Sequence, residues 1–247
     1  HNGFSKKSMV PAIKSAKLHR VSHFVVTSWG DNGAEASMFS TLPSLYFISN
    51  KFYNDKLGNE DAFLKTLTNY SLDEWMSLDL MNQIYQSKEI KVVNPSKYLL
   101  YEDPLLGDPN IKLNLNYETY YRKMSDLLDP LTDRKSNYSY IFKTLYLLSN
   151  VLVAKSVLSL TIYKSYHKKS IAELQSINDL VIPDILKNIK EFYRMFKAQW
   201  YQENKFEGFE VQSYRLGGLM NRLEEVQSII TLYVDKKIDT INMLEQR

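Results

Sequence analysis

The chain has 247 residues, carries 31 basic against 28 acidic side chains for a formal charge of +3, and contains no cysteine. That length allows one or two domains with a sizeable core, and the even charge balance argues against nucleic acid or an anionic membrane as partner. Disulfides and thiolate metal sites are excluded, and with four scattered histidines neither a metal site nor a cofactor is expected.

The chain opens at His1 without a charged-then-apolar leader, which suits a processed protein or a piece of a longer one. The lack of thiols suits the cytoplasm. Lys6–Arg20 reads as a helix with Ser5 as N-cap and a modest apolar face of Val10, Ile13, Ala16 and Leu18. Val21–Ser28, VSHFVVTS, is β-branched and aromatic and reads as a short buried strand. It exits into Trp29-Gly30-Asp31-Asn32-Gly33, a glycine-punctuated turn. Residues two apart on a strand share a side, so Trp29 and Asp31 would stand together, with Asn32 beside them. A flat ring next to a hydrogen-bond acceptor suits a sugar: the ring covers the C–H face of a pyranose and the carboxylate takes hydroxyl protons. The plainer reading is a buried Trp closing a strand before an Asp turn. Ala34–Tyr53 looks helical, with Pro43 kinking or splitting it.

Helix, strand, loop and helix make a piece of a β/α architecture, in which function sits at the carboxyl ends of strands. A single strand has nothing to pair with, so roughly the first 55 residues read as the tail of a larger barrel. Everything beyond Asp55 reads as helical. Asn59 caps a helix through Leu67, Ser71-Leu72-Asp73-Glu74 is a capping box, and Asn94-Pro95 opens a short helix. Glu102–Asn110 is a loop. Tyr117–Leu128 is a helix ending near Pro130. Tyr138 to about Tyr166 is apolar nearly all round, as expected of a central bundle helix. Lys143, Asn150 and Lys155 keep it short of an uninterrupted bilayer-spanning run, so a soluble protein with no membrane partner is expected. Ile171–Trp200 keeps helical spacing with a bend at Pro183, and a last amphipathic run extends from Val211 through Ile238 and Ile241. The basic pairs Lys168-Lys169 and Lys236-Lys237 look like solvated helix faces. The 18 tyrosines suit aromatic-lined grooves and, equally, helix packing with polar tips.

Two blocks go further. VVTSWGDNGAEASMFSTLP, Val25–Pro43, resembles the last strand and helix of the catalytic barrel in family 20 glycoside hydrolases, the exo-acting β-N-acetylhexosaminidases. RMFKAQWYQENKFEGFEVQSYRLGGLMNRL, Arg194–Leu223, looks like the signature of the extra helical domain that follows the barrel in bacterial N-acetyl-β-glucosaminidases. The resemblance implies a mainly α chain: the final helix–strand–helix of a (β/α)8 barrel in residues 1–55, then an all-α bundle domain in residues 56–247. It implies substrate-assisted chemistry, in which the 2-acetamido oxygen attacks the anomeric carbon. An adjacent Asp orients that group and a Glu protonates the leaving oxygen. That pair belongs to a His-x-Gly-x-Asp-Glu motif on an earlier strand, and nothing here matches it. Asp73-Glu74 and Glu102-Asp103 imitate it, but one sits in a capping box and the other before a proline. This chain alone should therefore be inactive.

By resemblance, Trp29 walls the terminal-sugar subsite and Asp31 accepts from its outer hydroxyls, although many relatives carry Glu at that position. Asn32, Trp200, Glu210 and Arg215 are candidates for a substrate contact or a subunit interface. Gly217-Gly218 inside a helix suggests close approach of another element, with tight packing inside the bundle as the favoured reading. The partners implied are N-acetylhexosamine-terminated glycans and a second copy bound through the helical domain. The alternatives are a non-catalytic dimerisation or scaffolding module, and a poor third, a hydrolase using Asp31 and Glu35, which lack a group to tune either pKa.

Overall fold

A computed structural model describes residues 2–28, 36–54, 58–84, 94–107 and 116–245. Among them every regular element is helical: α1 (Asn2–Leu18), α2 (Leu42–Tyr53), α3 (Glu60–Thr68), α4 (Leu72–Ser77), α5 (Pro95–Tyr101), α6 (Tyr117–Leu128), α7 (Ser139–His167), α8 (Ile171–Ser176), α9 (Ile182–Glu203), α10 (Phe209–Val234) and α11 (Asn242–Glu245). The expected all-α domain is present. The expected strand is not: 21–28 runs as irregular chain, with Val25 81% exposed. Its β-branched residues have no ladder partner among the described residues, and β-propensity without a neighbour to pair with does not make a strand.

The N-terminal signals behave as their chemistry requires. Asn59 accepts from Ala62 N–H at 2.9 Å and Asn94 from Lys97 N–H at 3.3 Å. In the Ser71–Glu74 capping box, Ser71 N–H donates to Glu74 at 2.6 Å and Glu74 N–H to the Ser71 hydroxyl at 3.2 Å. Ser5, in contrast, lies inside α1 and caps nothing. That helix starts at Asn2, where the Asp79 carboxylate accepts from the N–H of Asn2 at 2.9 Å and of Gly3 at 2.8 Å.

The C-terminal ends depart further from expectation. Arg20, Lys169 and Lys236 adopt positive φ of 50°, 55° and 58°. In each case the next residue's N–H reaches back to a carbonyl of the last turn: Val21 to Ala16, Ser170 to Ser165, and Lys237 to Leu232. These are Schellman closures with a basic residue where glycine is usual, and a cation there also favours the helix dipole. The pairs Lys168-Lys169 and Lys236-Lys237 are thus helix ends. The final run stops at Val234, so Ile238 and Ile241 lie beyond it, and Ile241 is buried after the chain reverses.

Pro183 splits the long Ile171–Trp200 run. Ile177–Val181 is one π turn, with Ile182 N–H bonded to Ile177 O, and α9 begins with the proline in its first turn. The wider turn accommodates a residue that has no N–H and whose ring clashes with the preceding turn.

α7 is the central element and packs most extensively against α6 and α9, with α10 on α9 and α1 on α2. By length and apolar content it does reach the mark for crossing a bilayer, the three polar interruptions notwithstanding, while just over half of its most apolar stretch is buried in the bundle. Lys155 is 1% exposed and donates to the carbonyls of Glu102 at 2.6 Å and Leu99 at 3.2 Å, closing the end of α5. Tyrosines join helices by ring and hydroxyl together. Tyr70 stacks on Phe142 at 4.1 Å and donates to Leu131 O at 2.7 Å, and its hydroxyl pKa is pushed up to about 12 by burial. Trp75 meets both rings and donates to Thr68 at 2.9 Å.

Candidate functional site

Trp29, Asp31 and Asn32, together with Glu35, lie outside the described residues; their two flanks do not. On the N-terminal side Phe24 stacks on Phe52 of α2 with ring centroids 5.2 Å apart. On the C-terminal side Ser37 is buried and its hydroxyl accepts from Phe39 N–H at 3.1 Å, capping the 3₁₀ turn Met38–Thr41. The same hydroxyl donates to the Glu203 carboxylate, which also accepts from Met38 N–H at 3.3 Å. Tyr140 of α7 lies against this carboxylate as well. Burial, and then the hydrogen bond to Glu203, raise the Tyr140 pKa far above its ordinary value. Three donors from two distant parts of the chain thus converge on one carboxylate at the end of α9, and charge-assisted bonds of this kind are stronger than neutral ones.

Glu203 was not among the residues singled out from sequence, yet both partners lie within the two quoted blocks: Ser37 in Val25–Pro43 and Glu203 in Arg194–Leu223. The blocks meet in space. Nothing local in the sequence announces that meeting, because one glutamate on a helix ordinarily faces water.

Trp200 and Glu210 both lie at the α9–α10 turn. The Trp200 ring packs against Phe196 and Phe209, and its indole N–H donates to Lys205 O at 2.8 Å. Glu210 accepts from Gly208 N–H at 2.7 Å. Gly208 has φ of 95°, and a Cβ there would sit 3.0 Å from the Trp200 ring, so this turn requires glycine. Arg215, further along α10, stacks over the Tyr101 ring at 4.7 Å. Gly217 and Gly218 overturn the expectation of tight packing inside the bundle: a Cβ at either position meets no described atom within 4 Å. Among the described residues their flank is open.

The two imitations of an acid pair are bound up in structure. Arg134 holds Glu74 with two bonds of 2.8 and 2.7 Å. Asp103 accepts from Leu105 and Leu106 N–H at 2.8 and 3.0 Å and pairs with Arg222 at 2.8 Å, while Glu102 is buried against Gly107.

A family model described as the Glycoside Hydrolase 20C C-terminal domain matches residues 73–247. Comparison with curated proteins gives no match.

Proposed function

The chain belongs to the family of glycoside hydrolase 20C C-terminal domains, and from that premise we propose that it is the C-terminal part of a β-N-acetylhexosaminidase removing terminal β-linked GlcNAc or GalNAc from glycan ends. In this reading residues 1–55 close the catalytic barrel and residues 56–247 form the helical domain behind it. The reaction is substrate-assisted and retaining, with the Asp-Glu pair on a preceding barrel strand. This chain brings Trp29 as the apolar wall of the sugar subsite and Asp31 as acceptor for outer hydroxyls; alone, it hydrolyses nothing.

The observation that carries the reading is the family match over the helical domain. Two features of residues 2–54 support it. Asp79, Glu60 and Glu203 tie this portion to the domain through Asn2, Lys6 and Ser37. Phe4, Leu18, Val25 and Tyr53 meanwhile face outward, 74–81% exposed. Large apolar side chains concentrated outward on so short a segment suit a surface that further barrel elements cover. For the helical domain we assign a homodimer face along Phe206, Val211, Tyr214 and the open flank of Gly217-Gly218, with Trp200, Glu210 and Arg215 shaping it from behind.

The test uses the full-length protein and a chromogenic GlcNAc glycoside. Trp29→Ala and Asp31→Asn are each expected to lower kcat/KM by about 10- to 100-fold, the range for losing one hydrogen bond to a charged group or an equivalent contact, with the melting temperature unchanged. Unchanged kinetics would remove both residues from the site. A full-length protein that dimerises but releases no chromophore would favour the scaffolding module.

A further inference from the structure

α9 turns its two sides to different surroundings. Ile185, Ile189, Phe192 and Phe196 are fully buried and hold it in the bundle. On the outward side Lys187, Lys190, Arg194 and Lys197 follow one another at intervals of three, four and three residues, the spacing that lines up side chains along one side of a helix. Between 185 and 202 Glu191 is the single acid against these four cations, a local excess that the near-even charge of the whole chain conceals. Lys187, Lys190 and Arg194 are exposed and line an open groove of about 370 Å³, with Pro183 and Leu186 as its apolar lining. Glu191 stands in the same groove, yet among the described residues it pairs with none of the three. Solvated cations without a neighbouring counter-charge present a positive strip to an incoming anion.

The row ends on an aromatic ring. Lys197 Nζ lies 5.3 Å from the centroid of Tyr201, an exposed ring that packs on Phe206 and Phe209. From Lys187 to Tyr201 the strip is about 21 Å long at 1.5 Å per residue. Cations in line suit a polymer with repeated anionic groups, and a held ring suits the C–H face of a sugar.

We infer that the outward side of α9 is a docking strip for an anionic polysaccharide, a glycan chain with repeated sulfate or carboxylate groups. Lys187, Lys190 and Arg194 take the anions, and Tyr201 takes a sugar ring. The choice of a glycan over other polyanions rests on the reading of the whole protein as a glycan-cleaving enzyme. Binding here tethers the enzyme to charged glycans and raises the local concentration of the ends it trims.

The test measures binding of a fluorescein-labelled heparin octasaccharide to the full-length protein by fluorescence anisotropy near physiological salt. Hydrolysis of the uncharged 4-nitrophenyl N-acetyl-β-glucosaminide is followed beside it. The triple variant Lys187→Gln, Lys190→Gln, Arg194→Gln should weaken heparin binding about 10-fold, the combined effect of three exposed ion contacts. Its melting temperature and hydrolysis should match the wild type. Tyr201→Leu, which keeps apolar packing on Phe206 and Phe209, should weaken binding by a smaller factor. A control triple, Lys123→Gln, Lys135→Gln, Lys168→Gln, removes the same charge from exposed positions elsewhere and should leave binding near wild type. No binding by the wild-type protein overturns the proposal. An equal loss in the control triple does so too, because it assigns binding to net charge. Single-stranded DNA of matched charge that binds as tightly through the same three residues overturns the choice of a glycan. Heparin held through α9 by a protein that cleaves no chromogenic substrate would instead overturn the enzyme reading and leave the strip standing.

Discussion

Asp79 caps a helix that begins 77 residues before it: its carboxylate accepts from the N–H of Asn2 at 2.9 Å, with the N–H of Gly3 on its other oxygen at 2.8 Å. The first turn of α1 leaves its N–H groups without intrahelical partners, and a buried carboxylate satisfies two of them while meeting the positive end of the dipole. Asn2 completes the link by accepting from the Ser44 N–H at 3.2 Å and hydroxyl at 2.7 Å. Asp79→Ala should therefore destabilise the chain by about 1–2 kcal/mol, the upper range for a lost N-cap. Urea unfolding measures it, and amide exchange should show the loss concentrated in α1. A variant whose exchange pattern in α1 matches the wild type would contradict this linkage.

Glu74 and Asp103 define an acid-sensitive window. Burial raises the pKa of each, but hydrogen bonds from Arg134 and Ser71 in one case, and from Arg222, Leu105 and Leu106 in the other, outweigh it, and both carboxyls titrate below their ordinary values. A depressed folded-state pKa means the unfolded chain binds protons first, so the stabilisation is fully present above the unfolded carboxyl values, about 4. It is lost as pH falls through the lower folded values. Stability should be flat near neutrality and decline below about pH 4 to 5. Glu74→Gln and Asp103→Asn should each lower stability at pH 7 and flatten that decline, as read from denaturation midpoints across a pH series. A slope identical to wild type would show that these carboxyls do not carry the acid transition.

Helix starts were readable because Asn59, Ser71 and Asn94 carry their own acceptor, a local signal. Helix ends were not: Arg20, Lys169 and Lys236 occupy the left-handed position that glycine usually marks, so the basic pairs passed for solvated faces. The Val21–Ser28 segment misled through propensity alone. The α1 cap and the Ser37–Glu203 contact were invisible for another reason. They join residues far apart in sequence, and no spacing rule encodes such a pairing. The α7 core helix was plain from its apolar periphery, yet Lys155, read there as an interruption, is a buried donor that closes α5.

That placement makes Lys155 a stringent position. Its ammonium donates to the Leu99 and Glu102 carbonyls from a site 1% exposed to solvent. Truncation leaves those carbonyls short of a partner and opens a cavity in the middle of α7. Lys155→Ala is expected to destabilise by about 2–5 kcal/mol, from two buried carbonyls that lose their donor and from the cavity left behind, and Lys155→Met, which fills the volume without the charge, by less. Equilibrium urea unfolding separates the two; equal losses would assign the effect to the lost hydrogen bonds and not to volume.

The glycine before α10 and the two inside it allow opposite predictions. Gly208 precedes α10 at φ 95° with the Trp200 ring 3.0 Å from where a Cβ would stand. Gly208→Ala should destabilise by about 1–2 kcal/mol through left-handed backbone strain, before any displacement of the ring. Gly217 and Gly218 sit in regular helix with nothing described within 4 Å of an added Cβ. Alanine at either should stabilise the isolated chain by about 0.5–1 kcal/mol, through higher helix propensity and a less flexible unfolded state. The open space at these two positions suits the proposed homodimer face. Gly218→Leu should accordingly leave the thermal stability of the dilute chain at or above wild type while shifting sedimentation from dimer toward monomer. A Gly218→Leu protein that sediments as the wild type does would place the dimer contact elsewhere on the helical domain.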